Sequence, residues 1–114
     1  MNRIYLGFFS ENNLSMADNG SIKEYLVNKV HYDKELIIKY LNNGKIEAVC
    51  PKFTYDIISR RKISNSFAVI TDGEYVWKSD FAYYIKNYNI KLPNNFVVKI
   101  YQKSGQAPPV GEFN

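Results

Sequence analysis

The chain has 114 residues and a mass of 13.3 kDa, which is the size of one domain. Hydrophobic residues make up 46% of it, charged residues 23%, and cysteine occurs once, which together exclude a disordered chain, a collagen-like repeat and a disulfide scaffold. The formal net charge of +4 fits a soluble basic surface or a protein that meets a partner with an acidic face.

The N-terminal third carries a weak strand signal, over residues 3–9, and a helix signal. Ser21 and Glu24 have the spacing of a capping box, in which the serine oxygen accepts from a first-turn N–H and the glutamate reaches back to the cap N–H. Behind this box apolar residues recur at helical spacing, at Ile22, Tyr25, Leu26 and Val30. We therefore expect a first helix beginning at Ser21.

A second helix is predicted between Asp33, as the N-cap, and Gly44, as a left-handed residue after the C-terminus. Residues 46–50 then predict a strand, which Pro51 ends or keeps at a sheet edge. The segment 53–66 is the least informative, and we expect a short helical turn around residues 55–59 followed by a polar loop.

The strongest strand signal is a hairpin over residues 67–77. Asp72 and Gly73 are the pair that a two-residue type I′ turn prefers. That turn would place Ile70 opposite Tyr75 on one face of the hairpin, with the second face apolar as well. An element with two apolar faces is expected to be sandwiched between other layers or joined to a larger sheet.

Two further helices are predicted, one opening at Ser79 with Asp80 near its N-terminus and one opening at Pro93 and ending at Gly105. Residues 106–114 have the composition of a flexible tail. The sequence thus predicts a single α+β domain over residues 1–105, with about four helices packed on a small, mainly antiparallel sheet.

Catalytic signatures are absent from the sequence. His31 is the only histidine and Cys50 the only cysteine, so a small enzyme would need one of them in a pocket beside acids. One histidine and one cysteine cannot form a closed zinc site. The close acid pairs, Asp33 with Glu35 and Asp72 with Glu74, are explained by capping and turn roles. We expect no catalytic residue, no metal and no cofactor.

Ten tyrosines are the most unusual feature of the composition. Half of them fit helix stripes, and the others are candidates for a protein interface, where rigid aromatic side chains and arginine are enriched. The candidate partner-binding residues are Tyr55, Arg60, Arg61, Lys62, Tyr75 and Tyr83. Tyr55 with the adjacent basic cluster could instead stack on single-stranded nucleic acid, but Asp56 inside that patch argues against it.

No targeting signal is predicted. The apolar piece from Ile4 to Phe9 is too short for the core of a signal peptide, and no run approaches the roughly 18 apolar residues of a membrane span. We expect a cytoplasmic protein without a membrane partner.

A longer pattern runs through the middle and end of the chain. Its elements are Ile38-Lys-Tyr-Leu41 with Gly44, Thr71-Asp-Gly73 with Trp77, Asp80, Tyr83-Tyr84 and Tyr88, and Leu92-Pro93 with Phe96. This pattern resembles small uncharacterised bacterial proteins, a group that includes companions in toxin–immunity systems.

The resemblance implies an immunity protein that neutralises a cognate toxin domain by stoichiometric binding, in a contact-dependent or other polymorphic toxin system. With a net charge of +4, such a protein would meet an acidic face of the toxin or bind away from a basic substrate groove. The alternative is a small nucleic-acid-binding or regulatory module, for which oligonucleotide binding would depend strongly on salt.

Overall fold

The computed structural model describes residues 2–12 and 16–108. Its helices and strands are β1 (Ile4–Tyr5), α1 (Lys34–Asn42), β2 (Lys45–Cys50), β3 (Thr54–Tyr55), β4 (Lys62–Ser64), β5 (Phe67–Thr71), β6 (Tyr75–Lys78), α2 (Phe81–Asn87) and α3 (Asn94–Ser104). Short 3₁₀ turns lie at Ser10–Asn12 and Ile22–Glu24.

A mixed four-stranded sheet is the centre of the fold. Its order is β1-β6-β5-β2, with β1 parallel to β6 and the other pairs antiparallel, and β3 and β4 form a separate two-stranded sheet. The side chains of Ile70 and Trp77 pack with the helices in the larger core. On the opposite face Val69 and Val76 pack against Phe8. The α+β prediction is confirmed, with three α-helices where about four were expected.

The first predicted helix is wrong, because the chain forms only one 3₁₀ turn before it becomes extended. Leu26 forms an antiparallel bridge with Ile90. On either side of this bridge the amide of Val27 donates to the carbonyl of Asn89 (3.0 Å), and the amide of Lys91 donates to that of Tyr25 (2.7 Å). This long-range pairing satisfies backbone groups that a local helix would have used.

The expected capping box is also assembled differently. Ser21 accepts from the amide of Lys23 (3.1 Å), as an N-cap should. The reciprocal carboxylate, however, is that of Glu11, which accepts from the amide of Ile22 (3.0 Å). The box therefore joins two turns that lie ten residues apart.

Helix α1 follows its prediction at the N-terminus and departs from it at Gly44. Asp33 accepts from the amides of Glu35 (3.0 Å) and Leu36 (3.4 Å). Gly44 has no positive φ, so the left-handed conformation predicted there is wrong. The glycine is needed for close approach, because a Cβ at this position would lie 2.4 Å from Ile70 Cγ2 and 2.8 Å from Trp77 Cζ2.

The hairpin of β5 and β6 exists, but its predicted register is wrong by two residues, since Ile70 pairs with Trp77. The Asp72 side chain accepts from the amides of Glu74 (2.9 Å) and Tyr75 (2.7 Å), which closes a longer loop than the two-residue turn. A shift of two residues keeps every side chain on its face. The apolar faces were therefore predicted correctly despite the register.

The last two helices lie close to their predicted positions. Helix α2 starts at Phe81, two residues after the predicted opening, and Asp80 makes no side-chain cap bond to it. Helix α3 follows Pro93 and ends at Gly105, which has a φ of 77°. The predicted tail falls mostly on residues 109–114, which lie outside the described residues. Within residues 2–12 and 16–108, no helix is long and apolar enough to cross a membrane.

Candidate functional site

A groove of about 860 Å³ lies between the N-terminal segment and the hairpin of β3 and β4. The two walls and the sheet residues between them come from three separate stretches of the chain. The lining residues are Glu11, Asn12, Ile22, Lys23 and Leu26 from the N-terminal segment, residues 52–58 and Arg60 from the hairpin and its approach, and Phe67 and Lys78 from the sheet.

The hairpin wall contains one turn at residues 57–59, inside the range where the sequence predicts a helical turn. Tyr55, however, belongs to β3, and β4 stands where a polar loop was expected. Thr54 pairs with Ser64 and Tyr55 with Lys62, and the chain turns over between the two strands. Arg60 adopts a φ of 67°, which is unusual for a residue other than glycine. The backbone of Asp56 donates to the carbonyl of Arg61 and accepts from the amide of Arg60, each at 2.8 Å.

The Asp56 side chain is the centre of this wall. It is buried, and its carboxylate accepts from the hydroxyls of Tyr83 (2.6 Å) and Tyr88 (2.8 Å) and from the amides of Ile58 (2.8 Å) and Ser59 (3.0 Å). Burial by itself raises the pKa of the carboxyl group. The four hydrogen bonds outweigh burial and lower the pKa of Asp56 to about 2, so the group is ionised at neutral pH.

A third tyrosine, Tyr84 of α2, ties this helix to the backbone of the hairpin. The Tyr84 hydroxyl accepts from the amide of Ile57 (3.0 Å) and donates to the carbonyl of Tyr55 (3.1 Å). The Tyr83-Tyr84 pair and Tyr88 thus hold the hairpin against the domain.

The opposite wall is fixed by Glu11. Its carboxylate accepts from the Ser21 hydroxyl (2.5 Å) and from the amide of Ile22 (3.0 Å). Desolvation raises the pKa of Glu11, but these hydrogen bonds prevail and the pKa is lowered. Both carboxylates of the groove are therefore already occupied by hydrogen bonds from the protein itself.

The groove rim exposes apolar side chains and cations together. Four large apolar residues of the rim are between 38% and 54% exposed, namely Leu26, Phe53, Tyr55 and Ile58. The cations of the rim are Lys23, Lys52 and Arg60, and none of them forms an ion pair within the described part of the chain. The rim therefore presents unneutralised positive charge beside exposed apolar surface.

The groove floor, made of its buried lining residues, contains one cation. Lys78 and Asp80 form an ion pair (Nζ–Oδ2, 3.2 Å) in which each side chain is only 3% exposed. Lys78 Nζ also lies 4.7 Å from the centroid of the Phe67 ring. Burial raises the pKa of Asp80, although the ammonium of Lys78 opposes the rise.

The side-chain amide of Asn12 also belongs to the groove lining and lacks a hydrogen bond to the described residues. The side-chain nitrogen of Asn12, Nδ2, is buried and has no hydrogen-bond partner among the described residues. Buried amide nitrogens are rarely left without an acceptor in native proteins.

The structure separates the six predicted partner-binding residues. Tyr55 and Arg60 line the groove, and Arg61 and Lys62 are exposed on the same hairpin, where Lys62 Nζ lies over the Phe53 ring at 4.4 Å. Tyr83 is half-buried and holds Asp56.

Tyr75 does not fit the predicted interface role. Its side chain is buried, and its ring packs against that of Phe96 with the centroids 4.6 Å apart. Because it points from β6 into the helical core, it offers almost no surface to a partner.

Sequence reasoning missed the roles of Phe53, Lys78 and Asn12. A signal for Lys78 was available, because it continues the alternation of β6 on the face of Val76 and precedes an acid by two residues. Nothing local marks Asn12, whose position depends on the long-range packing of the N-terminal segment.

The only histidine and the only cysteine lie away from the groove lining. His31 is exposed between the N-terminal segment and α1, and Cys50 is half-buried at the end of β2. Across residues 2–12 and 16–108, no group of three His, Cys, Asp or Glu side chains is arranged to hold a metal ion.

Comparison with known proteins adds no assignment. No protein-family model matches the chain, and no curated protein or solved structure matches it either.

Proposed function

We propose that this protein is an immunity protein that binds a cognate bacterial toxin domain through the groove and neutralises it as a stoichiometric complex. The observation that carries the proposal is the groove rim, where exposed apolar and aromatic side chains lie beside cations that form no ion pair with the described residues. Its class, a toxin-neutralising protein, rests on the resemblance of the sequence pattern to small bacterial proteins.

The rim has the composition of a protein-binding surface. Interfaces concentrate their binding energy in a few aromatic residues and arginines, surrounded by side chains that exclude water. Tyr55, Phe53 and Arg60 supply such residues on one wall, and Leu26 supplies apolar surface on the other. A partner segment that enters the groove would cover both walls at once.

The wall is also held in place before a partner arrives. Asp56 is fixed by two tyrosines of the α2 segment, and Tyr84 fixes the backbone on either side of it. A surface that is already ordered loses less conformational entropy on binding, which favours tight complexes.

The test first asks whether the adjacent reading frame encodes a toxin domain, as we expect, and then titrates that purified domain with this protein in a calorimeter. We expect a one-to-one complex and loss of the toxin's activity in that complex. Tyr55→Ala should weaken binding by about 2 kcal/mol, or roughly thirtyfold, as expected for a truncated interface aromatic. The matched control is Ile46→Ala, which removes apolar surface that is 60% exposed on β2, outside the groove.

A complex that Tyr55→Ala and Ile46→Ala weaken equally would place the interface elsewhere. A toxin domain that neither binds nor loses activity would refute the immunity function itself.

A nucleic-acid-binding module is the second candidate, and one observation favours it. The objection from Asp56 is weaker than the sequence suggests, because this carboxylate points inward and is enclosed by four hydrogen bonds. Binding of a single-stranded oligonucleotide with a steep salt dependence, lost in Arg60→Ala, would establish this candidate instead.

A further inference from the structure

Two side chains that line the groove have N–H groups without acceptors among the described residues. Lys78 Nζ has three N–H groups, and within the described residues only one hydrogen bond, to Asp80, uses them. Asn12 Nδ2 has two N–H groups and no partner there. Both side chains line the same groove. Unmatched donors in a recessed site indicate a place for an acceptor from another molecule.

The position of Lys78 gives its unused N–H groups a functional interest. If Lys78 served only to neutralise Asp80, both residues of this ion pair could be replaced by apolar residues at little cost in stability. Here the ammonium lines the groove and stays 3% exposed, beside the ring of Phe67. Water screens such a recessed charge poorly, so an acceptor that reached it would gain more than it would at the rim.

We propose that the groove contains a carboxylate-binding subsite, formed by Lys78 Nζ and Asn12 Nδ2, that takes an aspartate or glutamate side chain of the protein partner. The inference rests on the proposed function, since it names the chemistry by which the toxin domain enters the groove. Apolar residues on either side of that carboxylate contact Leu26 on one wall and Phe53 and Ile58 on the other.

A protein carboxylate fits the site better than a nucleic-acid phosphate. The groove lining includes the exposed, ionised carboxylate of Glu11, which opposes a chain carrying a phosphate at every nucleotide more than it opposes one isolated acid. The exposed apolar side chains of the rim can contact aliphatic or aromatic residues that flank an acidic residue in a protein partner. A carboxylate also accepts from two donors at once, one on each oxygen.

The probe is the capped peptide acetyl-Leu-Asp-Phe-amide, compared with its neutral isostere acetyl-Leu-Asn-Phe-amide. Each is titrated into the ¹⁵N-labelled full chain, and the amide shifts of the groove are followed by NMR. We expect the aspartyl peptide to shift the amides of Phe53, Ile58 and Lys78 and to bind about tenfold more tightly than the asparaginyl peptide, the advantage of a charge-assisted hydrogen bond.

Asn12→Asp is the first variant, because it replaces the Nδ2 donor by a negative charge, like that of the ligand, in a residue of the same shape, and Nδ2 has no hydrogen bond to a described residue that would be lost. It should abolish the preference for the aspartyl peptide. The second variant is the double substitution Lys78→Gln with Asp80→Asn, which should abolish the preference as well. It neutralises both members of the ion pair, so that no buried charge is left alone. Lys103→Gln, an exposed lysine of α3 outside the groove, is the control and should leave the preference unchanged.

Equal affinity for the two peptides, no binding of either, or an unchanged preference in Asn12→Asp would each overturn the subsite. So would a thymidine decamer that shifts the same amides and binds more tightly than the aspartyl peptide, since the donors would then serve phosphate.

The subsite and the proposed function fail in different ways. If the toxin domain binds but Asn12→Asp leaves its Kd unchanged, the subsite is wrong and the immunity function stands. If the peptide results hold and no toxin domain binds, the subsite stands and the immunity function is wrong.

Discussion

Asp56 is the residue on which the hairpin wall depends most. A buried carboxylate without partners would destabilise the fold, whereas this one accepts four hydrogen bonds, two from tyrosines and two from the turn that follows it. One side chain therefore both shapes the turn and anchors it to the segment of α2. The charge matters, because a neutral group would accept these bonds less strongly.

Asp56→Asn should lower the free energy of unfolding by about 2 kcal/mol at neutral pH, since a native pKa near 2 lies almost two units below the ordinary value of 3.8. This contribution is fully present above pH 3.8 and is lost as the pH falls from there towards 2. Urea unfolding of both proteins at pH 7, and at several values between pH 4 and pH 2, measures it.

The difference between the two proteins should shrink steadily over that acidic range. Tyr83→Phe, which removes only one of the four hydrogen bonds, should show a smaller loss at neutral pH. A gap between wild type and Asp56→Asn that is the same at pH 2 as at pH 7 would mean that the charge of Asp56 does not stabilise the fold.

Single residues could be predicted where their role is local. The N-cap at Asp33 and the end of the last helix at Gly105 follow from neighbours within a few positions, and both are confirmed. The sequence analysis explained Gly44 by a left-handed conformation, which is wrong. A glycine is required there because Ile70 and Trp77, from another part of the chain, approach its backbone closely. The position of Asn12 in the groove lining depends on long-range packing in the same way.

Elements show the same division. Helix α3 has an apolar stripe that its own sequence reveals, and that stripe is buried as expected. Residues 22–30 have a comparable stripe, but pairing with residues 89–91 converts them into an extended segment after one turn. Helical periodicity alone does not report a competing strand partner sixty residues away.

The β3–β4 hairpin is the element whose order decides the groove, and Tyr84 is its backbone attachment. Tyr84→Phe should leave the amide of Ile57 and the carbonyl of Tyr55 without their protein partner. We expect the amides of Asp56 and Arg60 to exchange with deuterium about tenfold faster, relative to those of α3, as local opening of the hairpin becomes easier by ~1.4 kcal/mol.

Tyr32→Phe is the control for this experiment, because its hydroxyl donates to the carbonyl of Ile90, away from the hairpin. It should leave hairpin exchange at the wild-type ratio. If Tyr84→Phe raises exchange equally in the hairpin and in α3, the hairpin is not a separately opening unit.

At the scale of the whole molecule, the groove exists because three distant stretches converge. The N-terminal segment, the hairpin and the last residue of β6 are distant in sequence and lie together in a fold whose sheet has the order β1-β6-β5-β2. The sequence could therefore identify Tyr55 and Arg60 as candidates without showing what lies opposite them. The same argument from composition also named Tyr75 as a candidate. In the structure, however, the alternation of β6 directs its side chain into the core.

The net charge of +4 leads to a prediction about association with the proposed partner. Charges act over distances comparable to the Debye length, about 10 Å at 0.1 M salt, so they affect the rate of encounter more than the stability of the final contact. If the acidic face of the partner meets the groove, the position of a charge on this protein should matter as well as the total.

Arg60→Glu and Lys103→Glu change the net charge by the same amount, but only Arg60 lies on the groove rim. At low salt, Arg60→Glu should slow stopped-flow association with the toxin domain by about tenfold, and Lys103→Glu by much less. The two rates should converge as salt screens the charges. Equal slowing by both substitutions would show that the partner responds to the overall charge. The groove would then not be the docking surface.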